Sequence, residues 1–168
     1  MTEVAETTVP RNLQSILRDR EYIGSGNKSD GTPGQFLTTS AVAYYTGHAY
    51  AVSSGALVHI LPASGNDQHS LTVGVFDGSI SNPPGSAALT GDGVFATNLA
   101  KDTAWFLNSV DYPVTAAYID TVGYFVNGES VANSGVVSGV GNYYPKAGWI
   151  VDFDAINNLV CVKLGKTA

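Results

Sequence analysis

The sequence predicts an all-β protein: a single compact antiparallel β-barrel or sandwich, preceded by an extended N-terminal arm that carries a short helix. Three observations predict it. Short apolar runs of strand length recur roughly every 8 to 12 residues, with turn-forming residues between them. The composition is 44% hydrophobic and only 13% charged, with 19 glycines, which suits many tight turns and a surface of Ser, Thr and Asn. Residues 114–164 hold two strand pairs with no helix of normal length between them. At 168 residues the chain can bury a core of its own, and it divides into an arm, 1–34, and a β-rich body, 35–168.

In the arm, Pro10 suits a first helical turn, and Leu13, Ile16 and Leu17 follow at i, i+3, i+4 spacing. Such a helix is about three turns long, too short to be stable alone. The span 24–34, GSGNKSDGTPG, has the composition of a flexible linker. Arg11, Arg18 and Arg20, all the arginines of the chain, lie in this arm. A tethered apolar stripe needs a surface to dock on. Either the arm is a frayed tail, or it anchors onto an adjacent subunit through Leu13, Ile16, Leu17 and Arg18.

Strand signals begin at Gln35. Residues 41–46 contain Val42, Tyr44 and Tyr45, and Gly47-His48 breaks the run. Strands over 49–52 and 56–61 follow, split by Ser53-Ser54-Gly55, and 62–70 is a polar loop. Residues 71–77 alternate, with Leu71, Val73 and Val75 on one face. Asn82-Pro83-Pro84-Gly85 makes 79–85 a loop, because proline cannot donate to a ladder. Short strands are predicted at 94–97 and 103–107, and one helical turn at 115–119 with Thr115 as its cap and Asp120 nearby. Residues 122–126 form a strand, and Asn127-Gly128 supplies the positive φ of a two-residue hairpin turn. The return limb is 129–133. A second pair, 147–153 and 159–164, is joined by the loop DAINN.

No catalytic constellation emerges. A Gly-x-Ser-x-Gly elbow is absent from the sequence. His48, His59 and His69 are too widely spaced for the close pairs that usually anchor zinc, and His59 reads as a satisfied strand histidine. Asp152 and Asp154 project to one side of a strand and, with Asn157 and Asn158, offer oxygens for calcium. Turn-forming acids explain the same residues, and nothing marks a glycosidase cleft. The expectation is a non-enzyme with no cofactor and no metal. Cys161, the single cysteine, excludes an internal disulfide and reads as a small buried hydrophobe. The net charge of −6 disfavours nucleic acid and anionic membrane as partners. With neither a signal-peptide pattern nor a membrane-length apolar run, the expected site of assembly is a cytoplasm. The doublets Tyr44-Tyr45 and Tyr143-Tyr144 each place one ring on either side of a strand. Tyr143, Tyr144 and Trp149 are therefore candidates for a subunit interface, where aromatics concentrate.

Three segments carry a resemblance: Val122-Gly123-Tyr124-Phe125-Val126, then Ser130-Val131-Ala132, then Ala147-Gly148-Trp149-Ile150-Val151-Asp152-Phe153-Asp154. In this order they resemble the C-terminal part of the head decoration, or structural cement, proteins of tailed bacteriophages. A looser likeness extends the match to about 45–164. The turn Asn127-Gly128-Glu129 is less acidic than that pattern, and the link before Ala147 is longer; both read as exposed connections. The resemblance implies a homotrimer in the virion, seated on the outer surface of a phage head. Its partner would be the major capsid protein, whose neighbouring subunits it would hold together. The alternative is a carbohydrate-binding or host-adhesion β-module, because exposed Tyr and Trp can stack on sugar rings.

Overall fold

The computed structural model of the chain describes residues 3–12, 15–16, 35–38, 43–45, 47–53, 56–60, 73–75, 80–81, 90–92, 103–136 and 143–164. It is all-β. The strands are β1 (Gln35–Thr38), β2 (Ala43–Tyr44), β3 (Ala49–Ser53), β4 (Ala56–His59), β5 (Val73–Val75), β6 (Ile80–Ser81) and β7 (Thr90–Asp92). They continue with β8 (Thr103–Asn108), β9 (Val122–Phe125), β10 (Ser130–Ala132), β11 (Lys146–Asp154) and β12 (Leu159–Leu164). The last five close a barrel in the order β10-β8-β12-β11-β9. Strands β5-β3-β4-β1-β7 form a second sheet, and β2 pairs with β6. The barrel ladder is antiparallel except where β8 meets β10 in parallel. In the second sheet β1 and β4 are also parallel.

Alternation of side chains explains the barrel. Along β8, Ala104 and Phe106 are buried while Leu107 faces out. Val160 and Val162 of β12 lie opposite Phe106 and Ala104, and all four are fully buried. Phe106 meets Phe125 of β9 edge-on, with ring centroids 5.1 Å apart, a favoured geometry for the two quadrupoles. Cys161 is buried, as its neighbours predicted. The nine residues of β11 carry two register shifts. At the first, Gly148 has φ +147° and lies so close to the Lys163 carbonyl that no side chain fits.

The connections follow local chemistry. Between β11 and β12, Asp154 Oδ1 accepts the Ile156 and Asn157 amides at 3.1 and 3.0 Å, and Asn158 takes φ +55°. That Asx turn is the use the sequence finds for Asp154. Ala116–Tyr118 form a 3-10 turn with Thr115 at its N-cap position but without a side-chain cap bond. The two-residue turn predicted at Asn127-Gly128 does not form. Positive φ occurs at Asp120, Asn158, Gly47 and Gly148 among the described residues. Instead Val126 donates to Ser130 O at 2.9 Å, and Asn127 Oδ1 accepts the Glu129 and Ser130 amides at 2.9 and 3.1 Å. A side chain, not a mirror-image backbone turn, reverses the chain.

Two short strands lie where none was expected. Ile80–Ser81 pair with Ala43–Tyr44 inside a predicted loop, and Thr90–Asp92 pair with β1. Backbone ladder bonds suffice for strands this short, so they leave no apolar pattern. The expected strand at 94–97, His69, and Leu13, Leu17 and Arg18 of the arm helix lie outside the described residues. Asn12 Oδ1 accepts the Ser15 amide at 3.2 Å and Asn12 O accepts the Ile16 amide at 3.1 Å, the bonding pattern of an N-cap.

Candidate functional site: the seat of the N-terminal arm

The arm lies across the body, held by side chains at almost every second residue. Glu3 Oε1 accepts the Val110 amide at 2.7 Å, and its other oxygen accepts the Ser109 hydroxyl. The Val4 carbonyl accepts Asn127 Nδ2 at 3.1 Å. Thr7 donates its amide to Glu129 Oε1 at 2.6 Å. Arg11 donates to the Trp105 carbonyl at 3.1 Å and the Gly47 carbonyl at 3.4 Å, and its guanidinium sits 5.8 Å from the centre of the Phe106 ring, within cation–π reach. Ile16 is 2% exposed and joins the main hydrophobic core.

Two glycines make this close approach possible. Gly128 needs no unusual backbone angle; a Cβ there would lie 2.6 Å from Glu6 Oε1 and 2.8 Å from the Ala49 carbonyl. Gly47, at φ +83°, lies against the other end of the arm, where a Cβ would meet Arg11 Cβ at 2.6 Å and Ile16 Cδ1 at 2.7 Å. The turn 127–129 is therefore not an exposed connection. Asn127 and Glu129 are buried under the arm, and the turn ties the two sheets together: Ala49 of β3 donates to Gly128 O and Leu107 of β8 to Glu129 O, both at 2.8 Å.

At the centre is a cluster of acids and histidines. Glu6 Oε1 accepts the Gly128 amide at 2.5 Å, while its Oε2 stands 3.1 Å from His48 Nδ1 and 3.5 Å from His59 Nδ1. His48, fully buried, directs Nε2 at the Val9 carbonyl, 2.7 Å away, with Glu129 Oε2 at 3.7 Å. Burial alone would raise the Glu6 pKa, but hydrogen bonds from His48, His59 and the Gly128 amide outweigh it and hold the carboxyl at about 2. Burial opposes a charge on His48, yet its bonds to Glu6 and Val9 and the charges of Glu129 and Glu6 raise its pKa above the ordinary value. Burial also lowers the Arg11 pKa, which the Glu129 charge partly offsets.

The residues expected to make contacts are distributed differently. Ile16 packs into this chain's own hydrophobic core. Tyr144 is buried beside Val126 and Ala132, and burial, aided by the charges of Glu3 and Asp111, pushes its hydroxyl up to about 12. Tyr143 is half-buried and bridges to Val136; Trp149, also half-buried, lies opposite Lys163. His48 and His59, too far apart in sequence to suggest a pair, converge on one carboxylate. Glu3, Glu6, Arg11, Asn127 and Glu129 carry the seat, and no periodicity announces them. Their only trace is a polar, Asn-Gly-centred turn inside an apolar stretch.

Both oxygens of Glu6 and both ring nitrogens of His48 are engaged within the chain. Among the described residues no group of three His, Cys, Asp or Glu side chains is arranged to hold a metal ion. The cluster is built to fasten one segment onto another. No protein-family model, curated protein or solved structure matches the chain.

Proposed function

We propose that this chain is a capsid decoration protein, which binds the outer surface of a phage head as a homotrimer and stabilises contacts between major capsid subunits. The observation that carries this reading is the placement of the three resembling segments. They fall on β9, β10 and β11, which are neighbours in one wall of the closed barrel, so the likeness covers a connected structural unit. The fastened arm supports it, because the acids and histidines clustered around Glu6 and His48 serve attachment. Decoration is binding rather than catalysis: many modest contacts across a subunit boundary add through multivalency. The apolar residues left uncovered, Ile156 at 94% exposure and Val4 and Val9 on the arm, are available for such contacts. A sugar-stacking module has less support, since Tyr118 is the one exposed aromatic among the residues whose side chains are described.

Light scattering of the chain alone, and after mixing with empty expanded heads of the phage that encodes it, tests the proposal. Saturable binding at a fixed copy number per head is expected, and a free trimer would give the assembly unit. A monomer that ignores heads overturns the reading. Replacing the exposed arm residues Val4 and Val9 with serine, which leaves the buried Ile16 in place, should weaken binding to heads; undiminished binding would exclude the arm as an anchor.

A further inference from the structure

We infer that the N-terminal arm is fastened by a protonation latch, in which the imidazolium of His48 bridges the Glu6 carboxylate and the Val9 carbonyl and releases residues 3–12 when it loses its proton. The latch is a property of the chain itself and operates with or without a capsid.

The geometry fixes the protonation state. A carbonyl oxygen only accepts, so His48 Nε2, 2.7 Å from Val9 O, must carry a hydrogen. Nδ1 faces Glu6 Oε2 at 3.1 Å. A protonated Glu6 could donate to a bare Nδ1, but the same Oε2 faces His59 Nδ1 and Oε1 already accepts the Gly128 amide. A carboxylate receiving donors from three directions keeps its charge, so Nδ1 carries the second hydrogen. The ring is then a cation, fully buried and bonded at both ends to the arm.

Removing its proton turns one of these bonds into a lone pair against an acceptor. The ring cannot turn away, because the groups around it are set. Glu129 Oε2 lies on the turn side at 3.7 Å, and the Tyr45 ring stands 5.5 Å off on the strand side. His59, whose ring packs on Tyr50 at 5.2 Å, faces Glu6 from β4, and Arg11 on the arm interacts with Glu129. Neutral His48 would leave the half-buried Glu6 and the buried Glu129 as negative charges without the His48 cation between them, beside a strained Val9 contact. The least costly response is for the arm to lift, since it is the element that contributes Glu6 and Val9 and reaches solvent.

The sign follows from linkage. A folded-state value raised above the ordinary 6.5 means that the fastening is complete below that value and is lost as pH rises through the folded-state midpoint. The latch therefore opens on the alkaline side.

Proton and amide NMR of the full chain between pH 5 and 10 tests this. The expected result is that the His48 ring titrates above an ordinary histidine and that the Thr7 and Gly128 amides lose exchange protection with the same midpoint. The amides of Phe106, Ile150 and Val162 in the barrel should stay protected. Arm amides that remain protected after His48 has lost its proton would overturn the latch, as would a ring that titrates at or below the ordinary value. A His48→Gln chain that folds should show arm protection independent of pH over this range, and an unchanged midpoint would refute the assignment. Should that buried substitution prevent folding, Glu6→Gln keeps the ring and removes its charged partner. The His48 midpoint must then fall by about one pH unit or more; no movement refutes the pairing.

Discussion

Replacing Gly128 with alanine tests the seat at its tightest point. The new methyl would lie 2.6 Å from Glu6 Oε1 and 2.8 Å from the Ala49 carbonyl, both inside van der Waals contact. Glu6 can swing away, but in doing so it gives up the 2.5 Å bond from the Gly128 amide. The Ala49 carbonyl belongs to β3 and can yield only by bending that strand. Overpacking of this kind costs about 1–3 kcal/mol, and a lost hydrogen bond to a charged group about 1.5–3 kcal/mol. Because one displacement of Glu6 serves both, the expected total is about 2–4 kcal/mol rather than the sum. For a chain of this size that lowers Tm by about 4–16 °C. Thermal unfolding followed by circular dichroism reads it directly. The decisive control is the same substitution in a Glu6→Ala chain, where the methyl has room on the arm side. The two changes should then couple by about 1 kcal/mol or more. A Tm within about 2 °C of the parent, or strictly additive effects, would mean that the arm does not rest on Gly128.

Ile16→Ala removes a side chain that is 2% exposed in the main core, and should destabilise by about 2–4 kcal/mol in urea titration; a change below about 0.5 kcal/mol would place the side chain in solvent. Gly148→Ala puts a Cβ onto the Lys163 carbonyl at φ +147°, so a loss above about 3 kcal/mol or failure to fold is expected, and a soluble chain of parental Tm would contradict the close approach of β11 to β12 at Gly148. On the acid side, the Glu6 carboxyl is held at about 2 against an ordinary 4.5. Its contribution is complete above 4.5 and disappears as pH falls toward 2, by up to about 3 kcal/mol; urea midpoints at pH 5 and 2.5 should differ less in Glu6→Gln, and an identical acid loss would assign the effect elsewhere. Ile156→Ser, at a site 94% exposed, should change stability by less than about 0.5 kcal/mol, which isothermal denaturation would verify.

The barrel was the legible part of the chain. Strands 159–164 and 103–107 announce themselves through residues such as Val160, Val162, Ala104 and Phe106, whose burial pays back as an apolar pattern with period two. The seat was not legible for a corresponding reason: it is held by polar side chains and bare backbone, which have no period. Asn-Gly at 127–128 carries the signature of a positive-φ turn, and only the arm's proximity shows that the glycine is there for space and the asparagine for its carbonyl oxygen. The acid at 129 looks like a surface residue until Thr7 and His48 are brought to it. Ile16 was singled out by helical spacing, but spacing cannot say whose core receives it. Strands as short as Ile80–Ser81 are fixed by partners far along the chain rather than by their own two residues.

The bond from Thr7 to Glu129 spans 122 residues of sequence. During synthesis at about 5–20 residues per second, the N-terminal segment emerges about 6–24 s before the turn that completes its resting place. In that interval it is an unoccupied ligand on a growing polypeptide, and on a polysome the completed turns of chains further along the message are close by. Whether each segment returns to its own body or to a neighbour's is then a contest of timing, decided while the protein is being made.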